Sequence, residues 1–219
     1  VRIMRSKIWL VGILFIPAVA SGQQSVVDTK HNLSVSGPGT IRAASETQVC
    51  IFCHTPHNST TQAPLWNRTD PGGPYQMYWS PTMNAYPSAG SAPQPNGSTK
   101  LCLSCHDGTI ALGATVASGT IPMSGGVTTM PTSSGGYFGT DLSGHHPISF
   151  QVTTALVAEN NARGDVPLKS VTEMRSNPIA FLDAGDRVQC SSCHDPHQDP
   201  FGGFLRSPNE DDTCLACHS

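Results

Sequence analysis

Every cysteine in the chain belongs to one repeated pentapeptide. Cys50-Ile51-Phe52-Cys53-His54, Cys102-Leu103-Ser104-Cys105-His106, Cys190-Ser191-Ser192-Cys193-His194 and Cys214-Leu215-Ala216-Cys217-His218 use all eight cysteines. C-x-x-C-H is the attachment signature of c-type haem. The spacing follows from the chemistry: two thiols add to the two vinyl groups along one side of a porphyrin, and the next residue, His, is held beneath the iron. Four disulfides would leave a His after every second Cys unexplained. Zinc bound by paired C-x-x-C units would leave the same four His to coincidence. A thioredoxin-like redox motif occurs once, near a βαβ pattern that this chain lacks. The reading is therefore four covalently attached haem c groups, with His54, His106, His194 and His218 as proximal iron ligands.

Composition explains why such a chain needs its cofactors. Charged residues are 12% and apolar residues 37%, with 21 Gly and 18 Pro. That excludes a coiled coil, a long helical bundle and a strongly basic nucleic-acid binder. Much of the apolar share sits in the first 20 residues, of which 14 are apolar. Arg2, Arg5 and Lys7 precede the run Ile8 to Ile16, and Ala18-Val19-Ala20 follows Pro17. This is the pattern of an export signal over residues 1–20. Its run is too short to span a bilayer comfortably, and no later stretch is long and apolar enough to do so. The expectation is an exported chain with no integral membrane segment once the signal is removed. Beyond position 20 there are 9 basic against 15 acidic residues, a net charge of −6. That excludes a cationic surface built for polyanions. Residues 21–219 are left with little to make an ordinary hydrophobic core, and four large porphyrins would supply the missing interior.

Nine histidines are present. Beyond the four proximal ones remain His31, His57, His145, His146 and His197, five side chains for four distal positions. Ligation by two His at every iron is therefore expected. The rivals are Met77, Met83, Met123, Met130 and Met174, since a Met ligand would raise the potential. Adjacent side chains do not easily serve one haem, so His145 or His146 is the spare.

The motifs repeat in pairs. His54-Thr55-Pro56-His57 follows the first and His194-Asp195-Pro196-His197 follows the third, each succeeded by a plainer C-L-x-C-H. Three residues span at most about 10 Å, too little for one chain segment to reach both faces of one iron. His57 and His197 should thus ligate a haem other than their own. The organisation expected is a single tetrahaem domain of two dihaem units, about 21–115 and 140–219. Secondary structure should be sparse: short helices at the motifs, as at 101–106 and 211–218, and a strand over 147–153, where Ile148, Phe150 and Val152 alternate with polar residues. Residues 58–100 and 113–144, rich in Gly, Pro, Ser and Thr, read as ordered coil.

Taken together, His31-Asn32-Leu33-Ser34, Cys50 to His57, Cys102 to Thr109, His146-Pro147-Ile148-Ser149-Phe150, Cys193 to His197 and Cys214 to His218 resemble the doubled-C-x-x-C-H multihaem cytochromes c. Among these the chain resembles the OmcE-type tetrahaem cytochromes of metal-reducing bacteria, which polymerise into extracellular filaments. The resemblance implies a mostly coil fold, bis-His haems and a continuous haem chain along a polymer. It favours His146 over His145 as a ligand. It also implies that a His of one subunit completes a haem of the next, with His57 the first choice and His197, which has the Cys214 haem at hand, the second. The expected function is electron transfer without an open substrate site, in a head-to-tail homopolymer at the cell surface or outside the cell. Its other partners would be redox proteins or external metal oxides. A soluble periplasmic tetrahaem shuttle shares these motifs. A multihaem reductase would require one open haem.

Overall fold

The computed structural model describes residues 25–164 and 166–219. The expected export signal lies outside them. Turns and irregular backbone dominate. Among the described residues five short α-helices occur: α1 (Gly97–His106), α2 (Thr154–Arg163), α3 (Val171–Ser176), α4 (Cys190–Cys193) and α5 (Glu210–Leu215). Among the described residues there are also four short 3-10 turns and four strands of two residues each: β1 (Gln76–Met77), β2 (Ala114–Thr115), β3 (Gly119–Thr120) and β4 (Asp141–Leu142). β1 pairs parallel with β4. β2 and β3 form an antiparallel hairpin. Among the described residues no helix is long and apolar enough to cross a membrane.

Helices mark the motifs, as expected. α1 ends on His106, α4 is Cys190–Cys193, α5 contains Cys214, and a 3-10 turn covers Cys50–Phe52. α1 and α4 contain both cysteines of their motifs, whereas Cys53 and Cys217 fall just past the helical residues of theirs. Two helices without motifs are not expected from the sequence. α2 is capped by the Thr153 hydroxyl, which accepts from Leu156 N, and ends at Gly164 in the left-handed region. α3 carries a reciprocal capping box between Ser170 and Glu173. Both caps satisfy backbone groups that a helix end leaves open.

The strand expected over 147–153 does not form as a continuous element. Ser149 N donates to Val188 O, Val188 N to Phe150 O and Val152 N to Asp186 O, yet only Gln151 and Arg187 form a bridge. Ser149 has φ 65°, which breaks the extended run. The kink sends Ile148 to one apolar cluster and Phe150 and Val152 to another. Residues 58–100 are coil except for β1, a 3-10 turn at Ala89–Ser91 and the start of α1. The 113–144 stretch is held by backbone bonds such as Leu112 N to Thr128 O and Phe138 N to His106 O, both 2.8 Å. Gly113 is required in it, since a Cβ there would lie 1.9 Å from the Ile121 carbonyl oxygen.

The interior is three small clusters rather than one core. Tyr75, Met77, Leu103 and Leu142 form the first, Ala43, Phe52 and Ile121 the second, and Val152, Met174 and Leu182 the third. Met77 and Met174 are buried in these clusters and Met123 packs against the second. They act as apolar filler.

Candidate haem-binding site

The four motifs are neighbours in sequence order. The Cys53 thiol lies near Cys105, Cys102 hydrogen-bonds to Cys190, and Cys193 lies near Cys217. All eight cysteines are free, and among the described residues no group of His, Cys, Asp and Glu forms a metal-ion cluster. Burial pushes the Cys53 thiol up to about 12 and Cys193 up to about 11. Cys190, accepting from Cys102, is pulled down to about 7. α1 packs on α4 through polar contacts: Ser98 Oγ to Ser191 Oγ at 2.6 Å, Cys190 N to Thr99 Oγ1 at 3.1 Å and Thr99 N to Gln189 Oε1 at 3.3 Å.

The internal repeat extends into backbone structure. After the first motif, Thr55 N donates to Leu65 O, Asn67 N to Cys53 O, and His54 bridges Trp66. After the third, Asp195 N donates to Phe204 O, Arg206 N to Cys193 O, and His194 bridges Leu205. Leu65 and Phe204 both take positive φ, 62° and 59°. Each proximal His is thus clamped by a returning loop. The sequence does not reveal this return because Leu65-Trp66-Asn67 and Phe204-Leu205-Arg206 share only an apolar-apolar-polar order, too short to mark a repeat.

The imidazoles are prepared for metal. His106 Nδ1 donates to Gly136 O at 2.6 Å, His194 Nδ1 to Gly203 O at 2.7 Å, His31 Nδ1 to Pro196 O at 2.9 Å and His146 Nδ1 to Pro147 O at 2.8 Å. A carbonyl only accepts, so Nδ1 carries the proton and Nε2 keeps its lone pair for a metal. In His54 and His218, Nδ1 is buried without a hydrogen-bond partner. The carbonyls of Leu65 and Pro167 stand beside those two rings. Burial lowers the proton affinity of His31, His54, His106 and His218. The neutral ring that a metal needs is therefore favoured.

Ring spacing tests the fit of a haem iron. A metal–imidazole bond of about 2.0–2.1 Å, plus about 1.1 Å from nitrogen to ring centre, separates two axial rings by about 6 Å between centres. His31 and His106 are 6.0 Å apart at an interplanar angle of 72°. His54 and His197 are 6.1 Å apart at 14°. Both angles are acceptable, because rings on a common axis can rotate about it. Phe204 stacks on His31 at 4.0 Å and holds it in place. His146 stands near enough to His218 to disfavour its protonation. His145 packs instead on Phe138, which stacks on His106.

His197 therefore faces the first motif, not the fourth motif downstream of it. His194 and His57 stand apart from these pairings. Both are exposed. Among the described residues, no stacked or edge-on aromatic ring pair includes His194 or His57.

A protein family described as the doubled CXXCH motif matches residues 183–219, which hold the third and fourth motifs. The match supports covalent haem binding and a c-type multihaem cytochrome acting in electron transfer. No curated protein matches the chain.

Proposed function

We propose that the chain carries four bis-His c-type haems and transfers electrons as the subunit of an extracellular cytochrome filament. The haem supplies a one-electron iron couple; the polypeptide sets ligands, order and spacing. The observation that carries the reading is the pairing of rings about 6 Å apart across the sequence, His31 with His106 and His54 with His197. With His146 beside His218, three motifs have a distal His within the chain. Among the described residues no ring pairs with His194 at axial spacing, although His106 lies near enough to feel its charge, and His57, exposed on a Thr55-Pro56 turn, is in no such pair. A second copy presenting His57 to the third motif would complete the set and join the subunits.

The lone His194 also favours a second reading, a reductase with an open haem at the third motif. Electron microscopy and visible or EPR spectra of the purified protein, with its Arg- and Lys-bearing leader removed, separate the outcomes. Filaments with wholly low-spin haem are expected, and His57→Ala should give monomers retaining four haems, one of them high-spin. Wild-type monomers with a quarter of the haem high-spin, together with turnover of a small oxyanion at that open iron, would make the chain a reductase. Wholly low-spin monomers would make it a soluble shuttle. An exported location, at the cell surface or beyond it, belongs to this proposal.

A further inference from the structure

Arg68 is fully buried, at 0% exposure, and it is the largest side chain so enclosed. Burying a guanidinium is costly unless its charge is met. Its donors are all satisfied: Nε donates to Ser104 Oγ at 3.0 Å, Nη1 to Leu112 O at 2.8 Å and Ala114 O at 3.2 Å, and Nη2 to Ser104 O and Ala111 O, both at 2.9 Å. Every one of those acceptors is neutral. Among the described residues no ion pair includes Arg68. The hydrogen bonds are met and the charge is not.

The place of this charge is specific. Its field reaches the Cys53 and Cys105 sulfurs and favours negative charge on both, and at Cys105 it outweighs the opposing field of the buried Asp107. Those sulfurs belong to the first and second motifs. The preceding residue ties the same two regions: Asn67 Nδ2 donates to Ile51 O at 2.6 Å, and Asn67 Oδ1 accepts from Ala117 N at 2.9 Å. Arg68 is thus a fixed cation lodged between two haem attachment points, away from water and from mobile counter-ions.

Resting on the haem reading above, we infer that Arg68 is a potential-setting residue. Its uncompensated buried charge raises the reduction potentials of the first and second haems relative to the third and fourth. Reduction adds one electron to each ferric haem, lowering its net charge by one. A nearby positive charge stabilises that product, and low local polarity strengthens the effect. With all donors engaged by neutral oxygens, the guanidinium has no N–H left to bind a haem propionate. Its action is through the field.

The test is spectroelectrochemical titration of the holoprotein in wild type, Arg68→Gln and Arg68→Lys, with haem content measured on each. Loss of charge in Arg68→Gln should move two of four reduction steps to more negative potential and leave two in place. Arg68→Lys, compared at a pH low enough to keep its buried ammonium charged, should hold all four near wild type. Equal shifts in both variants would mean the residue acts only by holding the loops, and unmoved potentials in Arg68→Gln would also overturn the inference. Should Arg68→Gln not accumulate, Arg68→Lys titrated with rising pH serves instead. Discharge of its ammonium should lower two steps that stay level in wild type, and steps that remain level in the variant would overturn the inference. Absence of haem would instead overturn the haem reading itself.

Discussion

Replacing His31 by Ala perturbs the second haem position at one point and has two separable consequences. The first concerns spin. His31 is the ring 6.0 Å from His106, so on the proposed four-haem function its loss should open one of four irons, and a quarter of the haem should become high-spin. The second concerns stability. The His31 ring stacks on Phe204 at 4.0 Å and donates to Pro196 O at 2.9 Å. An aromatic pair contributes about 0.5–1.5 kcal/mol beyond burial and a net hydrogen bond about 0.5–1.5 kcal/mol, so the loss should be about 1–3 kcal/mol. Visible and EPR spectra read the first effect, and urea unfolding followed by circular dichroism reads the second. Added imidazole should restore the low-spin spectrum without restoring the stability, because it cannot bind the loop of Pro196 and Phe204 to the chain. A variant that stays wholly low-spin without imidazole would refute the pairing. One that loses stability but keeps its spectrum would reduce His31 to a packing residue.

Two other perturbations address the scaffold. Tyr75 donates to Asp107 Oδ2 at 2.6 Å inside the first cluster, and a hydrogen bond to a charged acceptor contributes about 1.5–3 kcal/mol; Tyr75→Phe should lower the urea midpoint accordingly. Burial, then the Asp107 bond, raises the Tyr75 hydroxyl pKa, so this contribution is present below the unfolded value of about 10 and is lost as pH rises through the folded one. The gap between wild type and Tyr75→Phe should therefore close in alkali, and a gap constant with pH would contradict the assignment. Leu103, 1% exposed among Tyr75, Met77 and Leu142, should cost about 2–5 kcal/mol as Leu103→Ala; a change under about 1 kcal/mol by the same unfolding assay would show that the pocket collapses freely.

What the sequence makes legible is what chemistry makes local. A thioether pair and its proximal His must sit within five residues, so the four C-x-x-C-H motifs are plain from residue order alone. The helices at the motifs follow. α2 escapes such a reading although its signals are present, Thr153 ahead of the helix and Gly164 after it; none of its residues is buried, so no strong apolar stripe announces it. The alternation over 147–153 misleads because Ser149 adopts φ 65°, a conformation no β pattern encodes. His31 and His106 are brought together by a loop clamped on Pro196, and His54 meets His197 across the two halves. Neither contact has a local signature. Arg68 reads in sequence as one polar residue in a polar loop; only the fold reveals that nothing of it reaches water.

The third motif differs from the others in a way that ties sequence, packing and assembly. The first motif contributes Ile51 and Phe52 to the second cluster, the second contributes Leu103 to the first, and the fourth contributes Cys217 to the third. Each is seated by apolar burial. The third motif places Ser191 and Ser192 between its cysteines and contributes no side chain to any of these clusters. It is held by hydrogen bonds instead, Ser191 to Ser98 and Gln189 N to Ser192 Oγ at 2.9 Å, on the end of α1. Its His194 is exposed while the other three proximal His are partly covered. Apolar seating needs enclosure on all sides, whereas polar seating on one helix leaves the opposite side open. A haem that receives its last ligand from another molecule needs that open side. On the proposed function, the polar C-S-S-C-H is where a subunit contact would be expected, and among the described residues its His194 is in no aromatic ring pair.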